Sequence, residues 1–219
     1  MGRGIPDPVQ APRNAGFVYL SGRSGDAMTP GRLEAFSDAV IAIVITIMVL
    51  DLHVPHGVHL RALRPLVPVF LTYVLSFVFL GIYWNNHHHL LQRTEIVTGG
   101  TLWANLHLLF WLSLLPFATA WMGENHFATT PTAFYGVVLL CAAIAYFVLQ
   151  TVIVARQGPD SALARALGRD WKGKVSPLLY VAAIGLAFVS RWIALGIYIA
   201  VAVLWLVPDR RLERGFAAT

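Results

Sequence analysis

The stretch RLEAFSDAVIAIVITIMVLDL, residues 32–52, decides how this chain is read. Its inner part, Ala39 to Leu50, holds twelve residues with no charge and one polar side chain, Thr46. Asp38 stands directly before that run and Asp51 directly after it. At 1.5 Å per residue the run covers about 18 Å, whereas a lipid-facing helix needs about 30 Å, or about 20 apolar residues. If lipid surrounded this helix, a carboxylate would lie in hydrocarbon at either end. Intramembrane acids face a bundle interior or a water-filled path. The first helix is therefore expected to be enclosed by others and to line such a path.

Composition supports a membrane protein. Hydrophobic residues make up 57% of the 219, charged residues 12%, and mean hydropathy is +0.65. Soluble domains carry about 25% charged residues. A net charge of +5 could suit nucleic acid, but the basic residues cluster in loops between apolar runs, as topology signals do, and no nucleic-acid module is recognisable. Cys141 is the single cysteine. It cannot form an internal disulfide and reads as a small apolar filler.

Residues 1–31 are rich in Gly, Pro, Arg and Asp and read as a disordered tail, not a signal peptide. Six apolar runs follow, at about 33–52, 66–90, 96–121, 132–155, 175–190 and 192–207, with Pro208 closing the last and 209–219 left as a second tail. The final stretch could be one helix, but about 50 Å exceeds a bilayer. Arg191 in its middle favours a tight hairpin. Six spans put thirteen of the sixteen Lys and Arg residues on the side of both termini. Arg61, Arg64 and Arg191 remain on the other side. The positive-inside rule makes both termini cytoplasmic, in a multi-pass protein of the cell inner membrane or plasma membrane. Gly185 and Gly196 are expected to let the last two helices pack closely.

On the first helix, Arg32 and Phe36 are i, i+4 neighbours, and Arg32 and Asp38 both need partners. Candidates are Asn85, Asn86, His87 and His88 on the second helix, with Asn105 and His107 on the third. The competing reading takes Ser37 and Asp38 as a helix start. Ile43, Ile47 and Leu50, with Thr46 beside them, form one stripe. Such a stripe is a packing seam in most helices. Repeated around a symmetry axis it would stack apolar rings that gate ions by dewetting, and a threonine ring would offer hydroxyl oxygens to a cation.

RLEAFSD, followed by an apolar helix ending in VLDL, resembles the RxxxFSD motif of the transmembrane protein 175 family, the endolysosomal potassium channels and their bacterial homologues. Trp84 with His87 and His88, and the run NLHLLFWLSLLPFAT from Asn105 to Thr119, support the likeness over about 32–208. The resemblance implies an all-α subunit of six transmembrane helices. It implies a homotetramer whose first helices line the pore, with no pore loop and no TVGYG-type filter. It implies Ile43, Ile47 and Leu50 as the constriction and Thr46 as the selectivity ring. Arg32, Phe36, Ser37, Asp38, Trp84, His87, His88 and Asn105 would form the signature network that holds the pore. Ile43 and Ile47 stand where the family commonly has leucine, which makes β-branched, stiffer rings.

The function expected is passive potassium conduction, with potassium as permeant ion and no cofactor, metal or enzymatic chemistry. A proton-coupled transporter working through Asp38 is the alternative, and a non-conducting membrane assembly protein is another. His87-His88-His89 suggests a histidine-box oxygenase, but those sites need several boxes on one membrane face. His53, His56 and His59 belong to the opposite side, where they read as solvated loop residues.

Overall fold

A computed structural model describes residues 28–158, 161, 163, 164 and 171–206, and among these the regular structure is entirely helical. Most of the two expected tails, 1–31 and 209–219, lies outside the described residues, as do Arg165 and Arg169. The elements are α1 (Pro30–Leu50), a 3₁₀ segment (Leu60–Leu66), α2 (Val67–Gln92), α3 (Gly99–Ser113), α4 (Leu115–Glu124), α5 (Thr129–Gln157), α6 (Trp171–Ala187) and α7 (Arg191–Leu206). With α3 and α4 counted as one span there are six. Four stretches are long and apolar enough to cross a bilayer, α7 is apolar but short, and the chain is a polytopic membrane protein.

The first helix starts earlier than the apolar pattern suggests. Thr29 caps it, its Oγ1 accepting from the Arg32 amide at 3.3 Å, and Pro30 opens the first turn. Ser37 and Asp38 are thus interior residues, not a helix start. At 21 residues α1 is long enough to span. Only its uncharged run is short, and the acid that bounds it, Asp38, turns towards α2. The helix is not enclosed within its own subunit either. It buries Leu33, Ser37, Ile41, Val44 and Met48, one stripe at helical spacing, against α2, α3 and α4. Its opposite face is open.

The third span is broken where a continuous helix was expected. Pro116 has no amide hydrogen to return to the Leu112 carbonyl. The chain tightens there, with the Leu114 amide bonding Trp111 O at 3.3 Å before α4 resumes.

Helices α6 and α7 form the expected hairpin and lie against α5, with α7 also touching α2. Among the described helical glycines, the close approaches do not involve Gly185 or Gly196, where an added Cβ would meet nothing within 4 Å. They occur at Gly136 and Gly123. A Cβ on Gly136 would sit 2.0 Å from Tyr198 Oη, and one on Gly123 would sit 2.8 Å from Val69 Cα. Between these contacts a buried hydroxyl chain crosses the core. Tyr135 Oη donates to Ser76 Oγ at 3.0 Å, Ser76 to Thr119 Oγ1 at 2.6 Å, and Thr119 to Leu115 O at 2.6 Å. That chain joins α2, α4 and α5 without leaving a polar hydrogen unpaired.

Candidate functional site

Two i, i+4 pairs tie α1 to α2. Glu34 and Asp38 share a face of α1; Trp84 and His88 share the facing side of α2. Trp84 Nε1 donates to Asp38 Oδ1 at 3.1 Å. His88 Nδ1 pairs with Glu34. The rings of Trp84 and His88 stack with centroids 6.0 Å apart, and Gln92 Nε2 meets His88 Nε2 at 2.9 Å. Asp38 was expected to meet an asparagine or a histidine. The indole reaches it instead, since Trp84 lies one turn before His88 on the side facing α1. Glu34 was not singled out from the sequence, although its i, i+4 spacing to Asp38 was there to be read.

Deeper in, α1 is locked to α3. Ser37 Oγ donates to Leu33 O at 2.8 Å, Asn105 Nδ2 donates to Ser37 Oγ at 2.9 Å, and His87 Nε2 stands 2.7 Å from Asn105 Oδ1. Ser37, His87 and Asn105 are fully buried. With its nitrogen committed to Ser37, the amide oxygen must accept from His87, which fixes the histidine as the Nε2–H tautomer. Its Nδ1 is buried and has no partner. A second proton there would be a buried donor with nothing to bond, so this is a site for neutral imidazole. His107 does not join this network. It accepts from Trp111 Nε1 at 3.0 Å on the outer side of α3. Asn86 bonds back to Ile82 O.

The other signature and stripe residues share the open face of α1. Phe36, Ile43 and Ile47 are about half exposed, and Leu50 is 80% exposed. Arg32, Ala39 and Ala42 lie on the same side. Thr46 Oγ1 donates to Ile43 O at 2.8 Å. Its hydrogen is thereby used, and its oxygen lone pairs are left for the open side. Ile43 and Ile47 also border a groove of about 660 Å³, whose far wall is Ser113, Pro116 and Phe117. Phe117 is 59% exposed. In a membrane protein an open apolar surface of this kind meets either lipid or another subunit.

Among the described residues no three His, Cys, Asp or Glu side chains are grouped to hold a metal ion. His53 follows α1 and His87 closes α2, an antiparallel helix, so the two histidine groups sit at opposite ends of the bundle.

Comparisons with known proteins agree with this geometry. The family model described as endosomal/lysosomal potassium channel TMEM175 matches residues 32–116. A potassium channel of Chryseobacterium sp. (strain P1-3) is 53% identical over 187 residues, covering 85% of this chain and 97% of that protein. A potassium channel of Streptomyces collinus is 33% identical over 173 residues, covering 73% and 83%. Among solved structures, that of a lysosomal potassium-selective channel TMEM175 homolog from Chamaesiphon minutus superposes with a TM-score of 0.71 at 28% identity, covering 81% of this chain and 96% of that one. The matched residues take in α1, α2, α3 and their polar lock, and a relative of such identity spans nearly its whole length on this chain. The chain belongs to the TMEM175 family.

Proposed function

We propose that this chain is one subunit of a homotetrameric potassium channel, and that the open face of α1 lines its axial pore. The observation that carries the reading is the division of α1. One stripe is locked to α2 and α3 by hydrogen bonds, and the opposite apolar face has no polar partner and little cover among the described residues of its own subunit. Four copies around an axis would bring that face together. Ile43, Ile47 and Leu50 would then form successive apolar constrictions, where a narrow pore resists wetting. Thr46 would present oxygens, since its hydrogen is held by Ile43 O, and these suit a partly dehydrated cation. Arg32 lies at one end of the same face and would find its counter-charge on a neighbouring subunit.

The protein would sit in the inner or plasma membrane with both termini in the cytoplasm, by the excess of Lys and Arg on that side. The conduction and permeant ion are supported by the names of the two bacterial relatives, both given as potassium channels. The transporter alternative has one feature in its favour, the break at Leu114–Pro116, because transporters use broken helices. Two observations count against it. The break is explained by Pro116, and Asp38 is bonded to Trp84 at the α1–α2 contact and does not lie on the open face of α1.

The test is reconstitution. Purified protein in liposomes should pass potassium faster than sodium with no proton gradient imposed. Thr46→Val removes the outward oxygen at nearly constant volume and should reduce the preference between the two ions. Unchanged selectivity in that variant would remove Thr46 from the mechanism, and strict dependence on a proton gradient would restore the transporter.

A further inference from the structure

A second cavity lies away from the pore helix, between α2, α5, α6 and α7, with a volume of about 380 Å³. That is within the range of small-ligand sites. The topology fixes how its lining runs through the membrane. Going down α2 and α5, and in the reverse sense on α6, the walls pass from Phe79, Ala143 and Phe147 to Gln150 and Lys174. The registry is pinned by Tyr146 Oη donating to Asn86 O at 3.0 Å and Trp205 Nε1 donating to Ser176 Oγ at 2.9 Å. One end is therefore apolar and lies at mid-membrane, and the other is polar and basic at the surface.

Along α5 the lining runs from Ala143 to Ala155, about 18 Å at the helical rise and close to the depth of one leaflet's acyl region, about 15 Å. The cavity reaches the outer surface of α5, where Phe147, at its wall, is 56% exposed. The polar end also offers unused groups. Most nearby donors are spent on the backbone, Asn86 on Ile82 O and Thr151 on Phe147 O. Gln150 and Lys174 have no hydrogen bond or ion pair among the described residues.

We propose that this cleft binds an anionic phospholipid from the leaflet at the N-terminal end of α6. One acyl chain would lie over Phe79, Ala143 and Phe147, with the phosphate against Lys174 and the Gln150 amide. Basic pockets between transmembrane helices on the cytoplasmic side suit anionic headgroups. The amphipathic gradient matches a lipid end to end, and a water-soluble anion would leave the apolar half empty. The site requires only the membrane placement of the helices and is independent of conduction.

Phosphatidylglycerol carrying a photoactivatable group on its acyl chain is the probe, with phosphatidylcholine as control, both added to the full-length purified protein. Labelling should concentrate on residues 79–86 and 143–155. Native mass spectrometry should find phosphatidylglycerol retained in preference to phosphatidylcholine. Lys174→Gln should lower that retention by about fivefold. Ala143→Trp should fill the deep end and abolish the labelling, and Arg191→Gln at the opposite surface should change neither. Equal retention of the two lipids, wild-type retention in Lys174→Gln, or label spread over Leu178 and Val181 on the outer side of α6 would overturn the proposal. Lys174 is exposed, so its variant should fold even if Ala143→Trp does not. No ion gradient enters the measurement, so its failure leaves the channel reading intact, and a failed flux assay leaves this one intact.

Discussion

The two ends of α1 differ in what they lack. In its first half each of the polar groups Ser37, Asp38 and Glu34 that face the bundle has a partner in the same subunit. Ser37 reaches Asn105, Asp38 reaches Trp84 and Glu34 reaches His88. In its second half Ile43, Thr46, Ile47 and Leu50 face away from the subunit, with half or more of the surface of Ile43 and Leu50 uncovered. One half is finished by folding, and the other is unfinished until something outside the subunit meets it. Polar pairing in hydrocarbon cannot wait for assembly, because an unpaired group there costs several kcal/mol. An apolar face can wait, because lipid solvates it almost as well as protein does.

The comparison breaks most decisively at Asn105. Asn105→Leu would leave the buried His87 Nε2–H without its acceptor and take the amide donor from Ser37 Oγ, which keeps its bond to Leu33 O. The expected loss is about 3 kcal/mol, at the upper end for unsatisfied buried groups. It should appear as a lower melting temperature and less tetramer on fluorescence-detected size exclusion. Wild-type thermal stability would show that the lock is decorative. Gly136→Ala probes packing remote from α1. Its Cβ would overlap Tyr198 Oη, so a loss of about 2 kcal/mol is expected. Protein that does assemble should keep the wild-type ratio of potassium to sodium flux, and an altered ratio would couple the α5–α7 contact to the pore.

Trp84→Phe is milder. It keeps a ring against His88 and removes only the hydrogen bond to Asp38, for a loss of about 1 kcal/mol in the same melting assay. A loss as large as that of Asn105→Leu would shift the weight of the anchorage from α3 to α2. Ile43→Ala should change stability least, by about 0.5 kcal/mol or less, since the side chain touches little of its own subunit. Its potassium flux in liposomes should nevertheless rise, because a smaller ring dewets less readily. A large stability loss with unchanged flux would make the open face a packing seam after all.

Much of the bundle was legible from hydropathy. The spans of α1, α2 and α5 and the hairpin at Arg191 follow from apolar runs interrupted by charge and proline. Pro116 was visible too, but whether a proline bends or breaks a helix depends on what its neighbours can bond. Here it breaks it. The glycines illustrate the opposite failure. Gly185 and Gly196 stood in short helices and looked like close contacts, yet the tight approaches formed at Gly123 and Gly136. Glycine permits proximity without causing it, and proximity is set by which helices the loops bring together.

The residue string alone determined that this is a helical membrane protein and which residue types sit on which face of α1. Those properties depend on local period and on the cost of charge in hydrocarbon, both readable from neighbours in the chain. It could not assign partners. Ser37 and Asn105 are 68 positions apart, and Asp38 and Trp84 are 46 apart. Several asparagines and histidines had equal claim on each. Only the packing of α1 against α2 and α3 chose among them, because hydrogen bonds form over about 3 Å, a distance set by side-chain volumes across the whole interface and written in no single segment.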